Sequence, residues 1–238
     1  MYILGKPSLR REVDNPVLDL PLVKGEDASD LRGDDDDESH SKSATCVNND
    51  KRLQARVVDL TFRERLKHTL ALWPFMVPLF IVYFSEYAMQ SGCWAAIGFP
   101  VEDKDSRAMF YEFSNWTYQV GVLVSRSSGT FITWINLREL WIMPILQFFI
   151  LLFFIFDAMY KFWYDWFLLV LCLIVGLFGG ACYVHGFSRL SESVDPSLRE
   201  FSLSAASVGD TFGVILGDIA GIFIQKAIYQ QHDLSDDN

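Results

Sequence analysis

The sequence predicts an all-α polytopic membrane protein with five transmembrane helices. Three observations carry that expectation. From residue 70 to residue 229 the chain is a succession of apolar blocks, several of them at or beyond the roughly 20 residues that a spanning helix needs. The net charge of −10 over 238 residues is concentrated in an acidic leader and an acidic tail. Within the blocks the ionisable residues are few and isolated, as they must be in hydrocarbon. A mean hydropathy of +0.19 and 51% hydrophobic residues average over these unlike parts.

The expected organisation is a leader over 1–60, a five-span membrane domain over 61–230 and a tail over 231–238. The leader carries the acidic run from Asp34 to Glu38 and few aromatics, so it cannot bury enough apolar surface to offset chain entropy and is expected to be disordered. Its apolar start, Tyr2-Ile3-Leu4, is too short for a signal peptide. Insertion then falls to the first span, or to spans encoded before Met1. Thr61 with Glu64 has the spacing of a helix capping box and opens a short basic segment.

Span one is expected at about 70–93, bent in its first half by Pro74 and Pro78, with one acid, Glu86. Span two is expected at 116–135, with Arg126 at its middle between Ser125, Ser127 and Ser128. Arginine stays charged at physiological pH, so Arg126 must face protein or water. Span three, at 140–156, has no ionisable residue and is expected to face lipid all round. Span four, at 163–187, is rich in glycine at Gly176, Gly179 and Gly180. Span five, at 203–229, holds Asp210 and Asp218 and the ladder Gly213, Gly217, Gly221.

Basic residues cluster before span one (Lys51, Arg52, Arg56, Arg63, Arg65 and Lys67), which predicts a cytosolic N-terminus and, after five spans, a lumenal C-terminus. Asn115-Trp116-Thr117 is a glycosylation sequon on the expected lumenal side. It lies so close to the membrane that poor use or none is expected.

The transport-path candidates are Glu86, Arg126, Asp210, Asp218 and His185, because intramembrane ionisable groups mark pathways and relays. By residue counting Arg126 and Asp210 both fall near the midplane and are expected to pair. His185 near a membrane boundary reads more readily as a histidine satisfied by solvent than as a proton carrier. The small residues Gly176, Gly180, Gly213, Gly217 and Gly221 are expected to pack helices closely, with Ala206 and Asp210 on the same face of span five. Cys172, Cys182 and Cys93 read as apolar fillers, and no Cys/His spacing suggests a metal. Ser207-Val208-Gly209-Asp210 lacks the Gly-x-Gly-Asp and Pro-Ala-Leu context of intramembrane aspartyl proteases. No enzyme activity, cofactor or nucleic-acid partner is expected.

Several stretches in order carry a family resemblance: RERLKHTLALW, VPLFIVYFSEY around Glu86, YQVGVLVSRSS around Arg126, GLFGGACYV, and LREFSLSAASVGDTFG around Asp210. From about Arg63 to Ile222 the chain resembles the C-terminal half of battenin, the lysosomal membrane protein family of juvenile neuronal ceroid lipofuscinosis and its fungal vacuolar counterparts. The resemblance implies a major-facilitator-type transporter of eleven spans, of which this chain supplies the last five, with the ninth peripheral and the seventh, eighth, tenth and eleventh around the cavity. It implies a lysosomal or vacuolar membrane, a role in lumenal pH, and a solute such as a basic amino acid or a glycerophosphodiester. The expected partners are the bilayer and an N-terminal six-span half or another subunit. The C-terminus HDLSDDN has no cysteine for the prenyl anchor of some relatives. The contrasting expectation is a non-transporting adaptor in endolysosomal trafficking.

Overall fold

The computed structural model describes residues 61–128 and 137–234. The leader, the last part of the expected second span (129–135) and the end of the tail lie outside the described residues. Among those described, the chain is helical throughout: α1 (Phe62–Ala71), α2 (Trp73–Ala88), α3 (Lys104–Ser128), α4 (Leu137–Tyr160), α5 (Leu168–Ser193) and α6 (Arg199–Gln231). α2 continues through a π-turn, Met89–Cys93, and a 3-10 turn, Trp94–Ala96.

Each start has a local cause. The backbone N–H of Thr61 donates to Glu64 Oε2 at 2.8 Å, closing one arm of the expected capping box. The expected first span divides at Leu72, where α1 and the α2 segment meet at 64°. The break precedes Pro74 because proline suits the first turn of a new helix, where its missing N–H costs nothing. α3 starts at Lys104, well before the expected Trp116. Asp103 Oδ2 accepts from the Ser106 amide at 3.0 Å and the Ser106 hydroxyl at 2.6 Å, the geometry of an N-cap. Hydropathy marks only where a helix is apolar, so a capped polar turn ahead of it is invisible to that criterion. Three helices, α4, α5 and α6, are long and apolar enough to cross a membrane, or up to four spans if the bent α1–α2 pair counts as one.

Packing is pairwise. α6 lies along α2, and α3 lies along α5. α6 approaches α2 through small residues: a Cβ on Gly213 would stand 2.6 Å from the Phe80 carbonyl oxygen, and one on Gly217 would stand 2.7 Å from that of Phe84. Gly221 faces Ser91 and Gly92 in the π-turn. Gly121 meets the α5 backbone, and Gly176 and Gly180 meet α3 at Tyr118, Val122 and Ser125. Without a hydrophobic force between helices in lipid, such close approach supplies the attraction.

α4 covers α2 and α5 from behind. It does not face lipid all round: Leu140, Pro144, Gln147, Leu151, Phe154 and Ala158 form a buried seam. These positions recur at three, four and seven residues, the spacing of one helix face.

Candidate functional site

Glu86 is 1% exposed. Its Oε1 accepts from the Tyr118 hydroxyl, while Oε2 has no hydrogen-bond partner. α5 makes this contact available. Gly176 lets the Tyr118 backbone close in, and Gly179, against which Glu86 Oε2 lies, has no side chain to fill the space. Tyr118 is itself fixed by Trp94, with ring centroids 5.9 Å apart.

Arg126 lies two residues before the last described residue of α3. Its guanidinium stands 4.7 Å over the ring of Tyr183 on α5, a cation–π geometry. Tyr183 meets Tyr83 of α2 edge-on at 6.4 Å. Arg126 is exposed, Tyr83 is buried, and Glu86 lies one turn further along α2. The cation, the two tyrosine rings and the carboxyl therefore form a gradient from open surface to interior. Arg126 acts electrostatically on Glu86, Tyr83 and Tyr87, and Asp210 acts on both of those tyrosines.

The expected Arg126–Asp210 ion pair is absent among the described residues. Arg126 lies over Tyr183, and Asp210 is half-buried with the Thr211 hydroxyl donating to its Oδ1 at 3.3 Å. The two helices have different neighbours, α5 for α3 and α2 for α6. Equal depth by residue counting therefore does not make them partners. Gly209 rather than Asp210 sits on the α2 seam, its Cβ position 3.0 Å from the Met76 carbonyl oxygen. Asp218 is exposed and acts on Tyr87.

His185 is 4% exposed and its Nε2 is unpartnered. The solvated reading of that residue fails because its own side chain is buried. Asn115 lies within α3, where its Nδ2 donates to the Tyr111 carbonyl at 2.8 Å.

The residues that sequence reasoning left out are Tyr118, Tyr83, Tyr183 and Gln147. Gln147 was hidden because a search for ionisable groups passes over an amide. Its Nε2 donates to the Val175 carbonyl at 3.4 Å, and it is 0% exposed.

A helical bundle with up to four candidate spans and a carboxyl group in its interior defines a polytopic α-helical membrane protein. The family model described as "CLN3 protein" matches residues 2–231, and the chain belongs to this family, the battenin family. Similar curated proteins include fungal relatives. Protein BTN1 of Eremothecium gossypii is 32% identical over 197 residues, covering 77% of this chain and 47% of the relative. Protein btn1 of Schizosaccharomyces pombe is 35% identical over 184 residues, covering 74% and 46%. Protein BTN1 of Saccharomyces cerevisiae is 30% identical over 177 residues, covering 70% and 42%. The chain thus spans less than half the length of these relatives. No solved structure matches.

Proposed function

We propose that the chain is the C-terminal half of a lysosomal or vacuolar membrane transporter, moving a small metabolite such as a basic amino acid or a glycerophosphodiester and taking part in lumenal pH balance. The observation that carries this reading is the buried Glu86 carboxyl, joined to Tyr118 and lying behind Tyr83 and Tyr183, with the Arg126 cation at the open end. A bundle that needed only to be packed gains nothing from an acid with an unpartnered oxygen in its interior, because burying such a group is costly.

On this reading there are five spans: the bent α1–α2 pair, then α3, α4, α5 and α6. They correspond to the last five of a major-facilitator fold, with α4 as the peripheral one. α3 has the least apolar composition of the five because it borders the solute cavity. The matching surface comes from an N-terminal six-span half or another subunit, since such cavities form between two halves. The N-terminus is cytosolic and the C-terminus lumenal.

The test is solute release from vacuolar vesicles of cells expressing the chain as part of a full-length parent that supplies the N-terminal half, with arginine and glycerophosphocholine as probes. Transport predicts that Glu86→Gln and Arg126→Gln lower release of one probe while chain abundance holds. Unchanged release of both probes, with trafficking altered, would instead support the adaptor reading.

A further inference from the structure

A polar layer crosses the bundle at the level of Glu86. Leu79 of α2 and Leu140 of α4 each bring a methyl group to 3.8 Å from the Cβ position of Gly186 on α5, so these three residues lie at one height. Seven residues along α2 and α4 stand Glu86 and Gln147, and seven residues back along α5 stands Gly179. Seven residues are about 10.5 Å of helix, so the three arrive together at a second height. The contact of Glu86 Oε2 with Gly179 confirms the alignment. Ser85 lies beside them on α2 and is 0% exposed.

The layer holds several buried polar atoms without partners. Ser85 Oγ, Glu86 Oε2 and Gln147 Oε1 are all buried without a hydrogen-bond partner. One N–H of Gln147 donates to the Val175 carbonyl, and the Tyr118 hydroxyl donates to Glu86 Oε1. One proton on Glu86 Oε2 removes the charge from a buried carboxyl whose second oxygen has no partner, where a bare charge is costly.

Other groups facing Glu86 are few. From α3 come Tyr118 and Arg126, and from α5 comes Cys182. α4 contributes the neutral Gln147. Tyr83 and Tyr87 share its own helix, and Asp210 and Asp218 of α6 act on those tyrosines. Among the described residues no second carboxylate acts on Glu86, and no group of three His, Cys, Asp or Glu side chains converges as a metal site. Directly after Glu86 the helix loosens into the π-turn Met89–Cys93, a feature frequent where helices carry function.

We propose that Ser85, Glu86, Tyr118 and Gln147 form a proton-binding site, in which Glu86 is protonated on Oε2 and releases that proton past Tyr83 and Tyr183 to water at the open face. The carboxylic acid becomes a carboxylate, the proton passes to water, and Arg126 keeps its charge and serves as the counter-ion of the carboxylate. That this proton is the one coupled to solute movement rests on the transporter reading above.

Infrared difference spectroscopy of the chain in lipid vesicles tests the site between neutral and acidic pH. A protonated-carboxyl band is expected in the unaltered chain, lost in Glu86→Gln and moved to higher frequency in Tyr118→Phe, which removes the hydrogen bond to Oε1. Should Glu86→Gln fail to fold, isotope-labelled glutamate in the unaltered chain must shift the same band. Spectra of the unaltered chain without such a band overturn the proposal. So does a carboxylate band that answers to sodium at fixed pH and not to pH. A pH-dependent band together with unchanged solute release in Glu86→Gln upholds the proton site and overturns the transporter reading.

Discussion

Tyr118 reaches Glu86 across the face of α5, between two helices that each pack on α5 rather than closely on one another. The contact exists because α5 has glycines at 176 and 179. The two glycines do different work, and substitution separates them.

At Gly176 an added methyl meets the backbone carbonyl of Tyr118, which cannot swing away. Gly176→Ala is expected to push α3 off α5 and to cost about 1–3 kcal/mol, the usual range for overpacking. At Gly186 an added methyl meets only leucine methyls at 3.8–3.9 Å, ordinary contacts, so Gly186→Ala is expected to stabilise by up to about 1 kcal/mol through helix propensity. Thermal unfolding in detergent measures both. Equal midpoints for the two variants would contradict the packing described.

Gly179→Ala is a third case. Its methyl meets the end of the Glu86 side chain, which can rotate. The fold is expected to survive with near-normal abundance, while the Tyr118–Glu86 contact breaks and solute release is lost. A variant that is unstable, or that folds and transports normally, contradicts this.

Arg126 is expected to couple to Tyr183 and not to Asp210. A double-mutant cycle of Arg126→Gln with Tyr183→Leu should give about 0.5–2 kcal/mol, the range for cation–π pairs. The cycle with Asp210→Asn should stay within about 0.5 kcal/mol, as for independent sites. The reverse order would restore the ion pair that residue counting suggested.

The start of α3 should respond to acid. The Ser106 hydroxyl and amide hold the Asp103 carboxyl below the usual carboxylate range. A depressed folded value means the cap is fully effective above the unfolded value of about 3.9 and is lost as pH falls through the folded one. The protection factor of the Ser106 amide should therefore be high at neutral pH and fall in strong acid. Asp103→Ala should lower it at neutral pH and remove the acid response. Exchange that ignores both would remove the cap.

Much of this was legible in the sequence, and the reasons for the remainder are physical. Glu86 stands out because an acid in an apolar run has no cheap environment, and the glycine ladder of α6 stands out because its spacing marks one face. Tyr118 does not stand out. A tyrosine suits many places in a membrane helix, and only the packing of α3 and α2 on α5 gives it a partner. Arg126 was conspicuous as a charge, yet its partner is the ring of Tyr183 on α5, which counting residues along α3 does not reveal. Depth by residue counting failed for Arg126 and Asp210 because it ignores which helix lies between them.

The most direct measurement is pH-driven solute release from vesicles containing the chain together with the N-terminal half that completes its cavity, compared with Glu86→Gln and Tyr118→Phe at matched abundance. Both substitutions keep the side chain's size and remove only a charge or a hydroxyl. The expected result is folded protein in which Glu86→Gln abolishes the pH-dependent part of release and Tyr118→Phe weakens it. Release that keeps its full pH dependence in both variants would contradict the account.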